Sequence, residues 1–104
     1  MKTAFYCPPD CRLHNMGDGH PECPQRLDAI QDHLRATGVD MFLDWRDAGT
    51  ASLEQLERAH TAGYVMEVTA LMEEMRDSGD HKAVDPDTSI CKSTHTAAFA
   101  AAGA

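Results

Sequence analysis

The chain has 104 residues, 42% of them hydrophobic and 25% charged, with a formal net charge of −8. That composition suits one small globular domain burying roughly 65% of its unfolded surface, and it shows no signature of disorder. The nine basic residues are scattered, which argues against nucleic acid as a partner, and no apolar run approaches the ~20 residues of a membrane span. An acidic surface would suit a cationic ligand such as a basic protein tail or a polyamine, although a solvated acidic face explains the charge equally well. Met1-Lys2-Thr3 leads into a short apolar run and then prolines, which is not the pattern of a secretory leader. The expectation is a cytoplasmic protein whose four cysteines are free thiols or ligands rather than disulfides.

Thr3-Ala4-Phe5-Tyr6-Cys7 is short, aromatic and β-prone, and Pro8-Pro9 stops it, so it reads as a strand. Residues 8–23 read as a long polar loop, a feature that in a compact domain usually has a task. Pro24 sits well at a helix start, Leu27, Ile30 and Leu34 make one apolar face, and Gly38 is placed to close the helix in the left-handed conformation. The run Val39–Trp45 is expected to be a second strand. Ser52-Leu53-Glu54-Gln55 is a capping box opening a short helix to about His60. A longer helix starts near Thr61, with Tyr64, Val65, Val68, Leu71, Met72 and Met75 at helical spacing, and ends at Asp77-Ser78-Gly79. That methionine and aliphatic stripe is core material rather than a cofactor box. Residues 80–92 look polar and turn-rich. Ser93 or Thr94 can then cap a last helix rich in alanine, at Ala97, Ala98, Ala100, Ala101 and Ala102. Such small-residue faces pack closely against something, and no following strand is there to receive them.

Several side chains invite chemistry. Cys7, Cys11, His14, His20 and Cys23 form a C-x3-C-x2-H-x5-H-x2-C series that could hold zinc, a borderline ion favouring sulfur and imidazole. The short gap between Cys11 and His14 leaves no room for the element that usually separates two ligand pairs, so free cysteines and loop histidines are the competing account. Asp18-Gly19-His20 is a D-x-H pair too short to weigh much. A Cys–His nucleophile pair is conceivable, but no orienting third group or oxyanion feature accompanies it. Arg26 lies in the first turn of a helix, where the dipole disfavours a cation. It is either paired with Asp10, Asp18, Glu22 or Asp28, or placed there for another purpose. Asp85 and Asp87 flank Pro86. They either hold a turn through Asx-type hydrogen bonds or present a carboxylate on a rim.

Taken in order, these pieces resemble the N-terminal third of the histone deacetylase superfamily, which includes bacterial histone deacetylase-like amidohydrolases, acetylpolyamine amidohydrolases and acetoin-utilisation proteins. The resemblance is carried by His14, by Gly19-His20-Pro21-Glu22-x-Pro24-x-Arg26-Leu27-x-Ala29-Ile30 and the helix to Gly38. It continues through Ala51-x-x-x-x-Leu56-x-x-x-His60-x-x-x-Tyr64-x-x-x-Val68 and Val84-Asp85-x-Asp87-Thr88, and ends in Ala97-Ala98 and Ala101-Ala102-Gly103.

What the resemblance implies is the α/β arginase–deacetylase fold: a mainly parallel sheet with helices on both faces. In this chain it would supply a strand, long loop, helix, short strand, helical pair, loop and alanine-rich helix. It also implies an amidohydrolase acting on acetyl-lysine or acetyl-polyamine amides through a zinc that polarises the carbonyl and the attacking water. The family's zinc ligands, histidine pair and tyrosine match no position here. Residues 1–104 are therefore expected to be a single N-terminal segment of such a domain, truncated before its catalytic centre. It would be inactive by itself and hold no zinc of its own. Arg26 matches the arginine of an internal product channel, with His20 and Pro21 at loop positions near it, and Asp85 matches the rim aspartate that binds the substrate backbone. Cys7, Cys11, Cys23 and Cys91 match nothing functional. The apolar faces are expected to drive self-association. A small stand-alone zinc-binding or protein-interaction module is the competing expectation.

Overall fold

Thr3–Tyr6 forms β1, and the two prolines after Cys7 end it, since neither can donate to a ladder. A computed structural model describes residues 1–104. The loop that follows is not featureless, because Pro9–Leu13 winds into a 3-10 turn with Pro9 at its start. Helix α1 spans Gln25–Ala36 and is led in by Pro24, whose φ of −55° and ψ of −35° are already helical. The left-handed Gly38, at φ 74°, stops it as expected.

The second strand expected within residues 39–45 is present, but over fewer of them. Val39–Phe42 is a 3-10 turn, and only Leu43–Arg46 is extended, as β2. The chain leaves α1 and must reverse to run alongside β1, and a tight turn makes that reversal in few residues. β1 and β2 pair in parallel, Thr3 against Leu43 through Tyr6 against Arg46. This register sets Phe5 beside Trp45, their ring centroids 4.6 Å apart. The unit is thus β-α-β, with α1 in the crossover.

Helix α2 spans Leu53–Glu57, and both hydrogen bonds of the Ser52/Gln55 capping box are present. Helix α3 spans Ala62–Ser78, from the Thr61 cap to the left-handed Gly79. Its apolar stripe is core. Met72 and Met75 cluster with Ile90, and Val68, Leu71 and Phe99 pack around them. Tyr64, assigned to the same stripe from sequence, is exposed.

The second correction concerns residues 80–92, which are not all loop. Lys82–Asp85 forms β3 and Thr88–Ile90 forms β4, an antiparallel hairpin with an irregularity between Ala83 and Asp85. Helix α4 then spans Thr94–Gly103. Ser93 stands at its N-cap without donating or accepting a side-chain cap bond. The Thr94 hydroxyl instead accepts from the Cys91 amide at 2.8 Å.

The alanine face does find a neighbour, against expectation. Ala97 and Ala100 are buried, α4 packs on the Pro9–Leu13 turn, and the Ala51 amide donates to the Phe99 carbonyl at 2.9 Å. A Cβ on Gly103 would collide with the Gly49 carbonyl oxygen and lie 2.8 Å from the Ala51 nitrogen. Glycine is therefore required there by close approach. The result is a mixed helix–strand architecture of α/β type in which the N-terminal loop, α3, the hairpin and α4 surround one depression. No helix is long and apolar enough to cross a membrane.

Candidate functional site

The depression is a cavity of 1140 Å³ whose wall includes His14, Glu22, Arg26, Glu74, Lys82 and Asp85. Two sequence-distant motifs, Gly19–Leu27 and Val84–Thr88, therefore contribute to one concavity. Of the site residues expected from sequence, Arg26 and Asp85 line it, while His20 and Pro21 stand outside its wall.

His20 has a different task. Its Nδ1 accepts from the Glu22 amide at 3.0 Å, and its Nε2 lies 3.2 Å from Asp87 Oδ1. Because the amide can only donate, Nδ1 is unprotonated and the ring proton sits on Nε2, pointing at the carboxylate. This contact ties the N-terminal loop to the hairpin turn across 67 residues of sequence. Asp85 Oδ1 accepts from the Asp87 amide at 2.8 Å, an Asx turn that makes the Pro86 corner rigid. The Asp85 carboxylate is thereby oriented through that one oxygen.

The first-turn cation has a local partner. Arg26 Nη2 lies 3.0 Å from Glu22 Oε1, with both side chains about half exposed (48% and 50%). Glu22 offsets the unfavourable helix dipole at that point. Asp28, the other nearby candidate, is taken by Arg12, whose Nε donates to Oδ1 at 2.7 Å.

A polar network that sequence reasoning missed lies at the depth of the loop. His14 Nδ1 is 2.8 Å from Thr94 Oγ1, which also lies 3.4 Å from Cys91 Sγ. The Cys91 amide donates to that same oxygen. The hydroxyl has one proton and two acceptors, so it serves either the imidazole or the sulfur. Burial holds the His14 imidazole below its usual pKa, Glu22 opposes this, and His81 and His20 add to it. Burial pushes the Cys91 thiol up, but hydrogen bonds from Thr94 and from the Asn15, Ser93 and Thr94 backbone outweigh it. The thiol therefore titrates below its ordinary value. The sequence signal was the motif histidine itself, and what lacked was any sign that Thr94 would face it.

The C-x3-C-x2-H-x5-H-x2-C series does not assemble. His14 turns to Thr94, His20 to Asp87, and Cys7 Sγ accepts from Gln31 at 3.0 Å. Burial, then Cys7 and Asp10 beside it, push the Cys11 thiol up. No three histidine, cysteine, aspartate or glutamate side chains stand together in a way that would hold a metal ion. The zinc that the family resemblance implies thus finds no fitting donor set among these residues.

The chain belongs to the histone deacetylase family: residues 20–104 match the histone deacetylase domain model. The match begins at His20 and runs through the helix, the hairpin and α4, so Arg26 and Asp85 on the cavity wall both fall inside it. None of the curated proteins compared matches the chain.

Proposed function

We propose that this chain builds the substrate rim and one channel wall of a zinc-dependent deacetylase domain of the arginase–deacetylase fold, which hydrolyses acetyl-lysine or acetyl-polyamine amides. Zinc, when bound by ligands from elsewhere in such a domain, polarises the amide carbonyl and its water. The residues here bind and orient. Asp85, fixed by the Asp87 amide, accepts hydrogen bonds from the substrate backbone or from a polyamine nitrogen. The Arg26 guanidinium, held by Glu22, offers its remaining donors to an acetate. His20 and Pro21 shape the loop beside that route. The chain alone performs no hydrolysis and takes up no catalytic zinc.

One observation carries the reading above all: the loop and hairpin motifs, far apart in the sequence, place Arg26 and Asp85 on the wall of the same cavity. The domain match over residues 20–104 agrees with it. The test is to mix the chain with an acetyl-lysine peptide and zinc. The expected outcome is weak saturable binding, no hydrolysis, and roughly tenfold or greater loss of affinity in Asp85→Ala, the size of one charged hydrogen bond. Hydrolysis by this chain, or binding indifferent to Asp85→Ala, rejects the assignment.

A further inference from the structure

The β1/β2 sheet has two strands and two open edges. Parallel pairs are normally buried on both faces, so this one is under-covered. Met41 and Phe42, in the turn that leads into β2, and Trp45 within it are 73%, 71% and 41% exposed. The whole chain exposes 7086 Å². A monomeric protein of its 11.4 kDa exposes roughly 5,800 Å². The surplus of roughly 1,300 Å² is spread over the whole chain, the open cavity included, and the β2 edge is one part of it.

We propose that a second copy of this chain seats on the β2 edge and continues the sheet through an antiparallel β2–β2 pairing centred on Trp45. Two identical strands can join edge to edge about a twofold axis only antiparallel, with the axis normal to the sheet. One residue must then stand opposite its own copy. Only Leu43–Arg46 is extended, so four centres exist. Centring on Asp44 or on Arg46 sets like charges face to face, which is unfavourable. Centring on Leu43 pairs β2 with the non-extended Val39–Phe42 turn. Centring on Trp45 sets Asp44 opposite the partner's Arg46 and Arg46 opposite the partner's Asp44.

The charges are already arranged for this. Asp44 and Arg46 lie two apart on one face of the strand, Arg46 Nε donating to Asp44 Oδ2 at 2.8 Å. Two such pairs, head to tail, close into an alternating four-member network. On the opposite face the two Trp45 rings, each tilted against a Phe5, meet at the axis, and Met41 and Phe42 flank it. The main-chain ladder supplies the affinity, and the charge alternation selects the register.

Sedimentation velocity over a concentration series tests the arrangement. The wild-type chain is expected to dimerise. Asp44→Arg and Arg46→Asp, each with a native circular dichroism spectrum, are expected to dimerise at least about tenfold more weakly. An equimolar mixture of these two variants is expected to recover dimers, because a strand with two cations then faces one with two anions. Should a single variant fail to fold, the double variant Asp44→Arg/Arg46→Asp keeps every opposite-charge pair and is expected to dimerise as the wild type does. A chain monomeric at all concentrations overturns the proposal. So does self-association insensitive to both single variants, or a mixture that fails to recover.

Discussion

His14 is the residue on which most of the local electrostatics turns. Its imidazole is favoured neutral in the folded state, because burial depresses its pKa. The unfolded chain titrates near 6.5. Between the depressed folded value and about 6.5 the unfolded state binds more protons, so stability rises with pH across that window. The contribution of His14 is complete above about 6.5 and is lost as pH falls below it. Urea titrations at pH 7.5 and 5.5 should show a stability loss in the wild-type chain that is smaller in His14→Gln. Equal losses in both would remove His14 as the cause.

At the same scale, sequence reading placed Arg26 in a disfavoured position and proposed four carboxylate partners, and the structure supplies one of the four, Glu22. A choice among nearby acids depends on side-chain reach across a loop, which spacing alone does not encode. The His20–Asp87 contact was illegible for a stronger reason. It joins residues whose proximity exists only after the hairpin has docked on the loop.

Among the elements, those with a local cause were readable. The Ser52 capping box, the Thr61 start and the left-handed Gly38 and Gly79 ends each follow from chemistry within a few residues. The β3–β4 hairpin was missed because its strands have four and three residues and β3 is wholly exposed. No alternation survives at that length. The usable signal was Val84 and Thr88-Ser89-Ile90 flanking Asp85-Pro86-Asp87, a β-prone run on each side of a proline corner. The second strand expected over Val39–Trp45 is there but starts only at Leu43, the β-prone content of Val39–Phe42 being overridden by the need to reverse after Gly38.

Helix α4 also carries a test at this scale. The Gly103 position faces the Gly49 and Ala51 backbone with no room for a methyl group. Gly103→Ala should gain helix propensity and still destabilise, by about 1–3 kcal/mol, because backbone rather than a flexible side chain must move. Thermal unfolding measures it, and an unchanged or raised Tm would show that the loop is free to retreat.

For the whole molecule, the radius of gyration of 15.4 Å exceeds the roughly 13 Å of a compact domain of this length. Only eight residues are buried, so burial stabilises the monomer weakly and association has much to add. If the β2 edge seats a second copy, Tm should rise with protein concentration, as mass action requires of any state that binds only when folded. A Tm independent of concentration over two decades would contradict that coupling.

Membership of the histone deacetylase family rests on residues 20–104, and the central claim is that this stretch forms a rim and channel wall around one cavity. Residue-resolved nuclear magnetic resonance during titration with an acetyl-lysine peptide tests it most directly. The account predicts that the Asp85 and Asp87 amides and the Arg26 side chain shift together, with one shared dissociation constant, and that Asp85→Ala weakens all three responses in parallel. Shifts confined to surfaces away from the cavity, or responses at Asp85 and Arg26 with unrelated affinities, would contradict it.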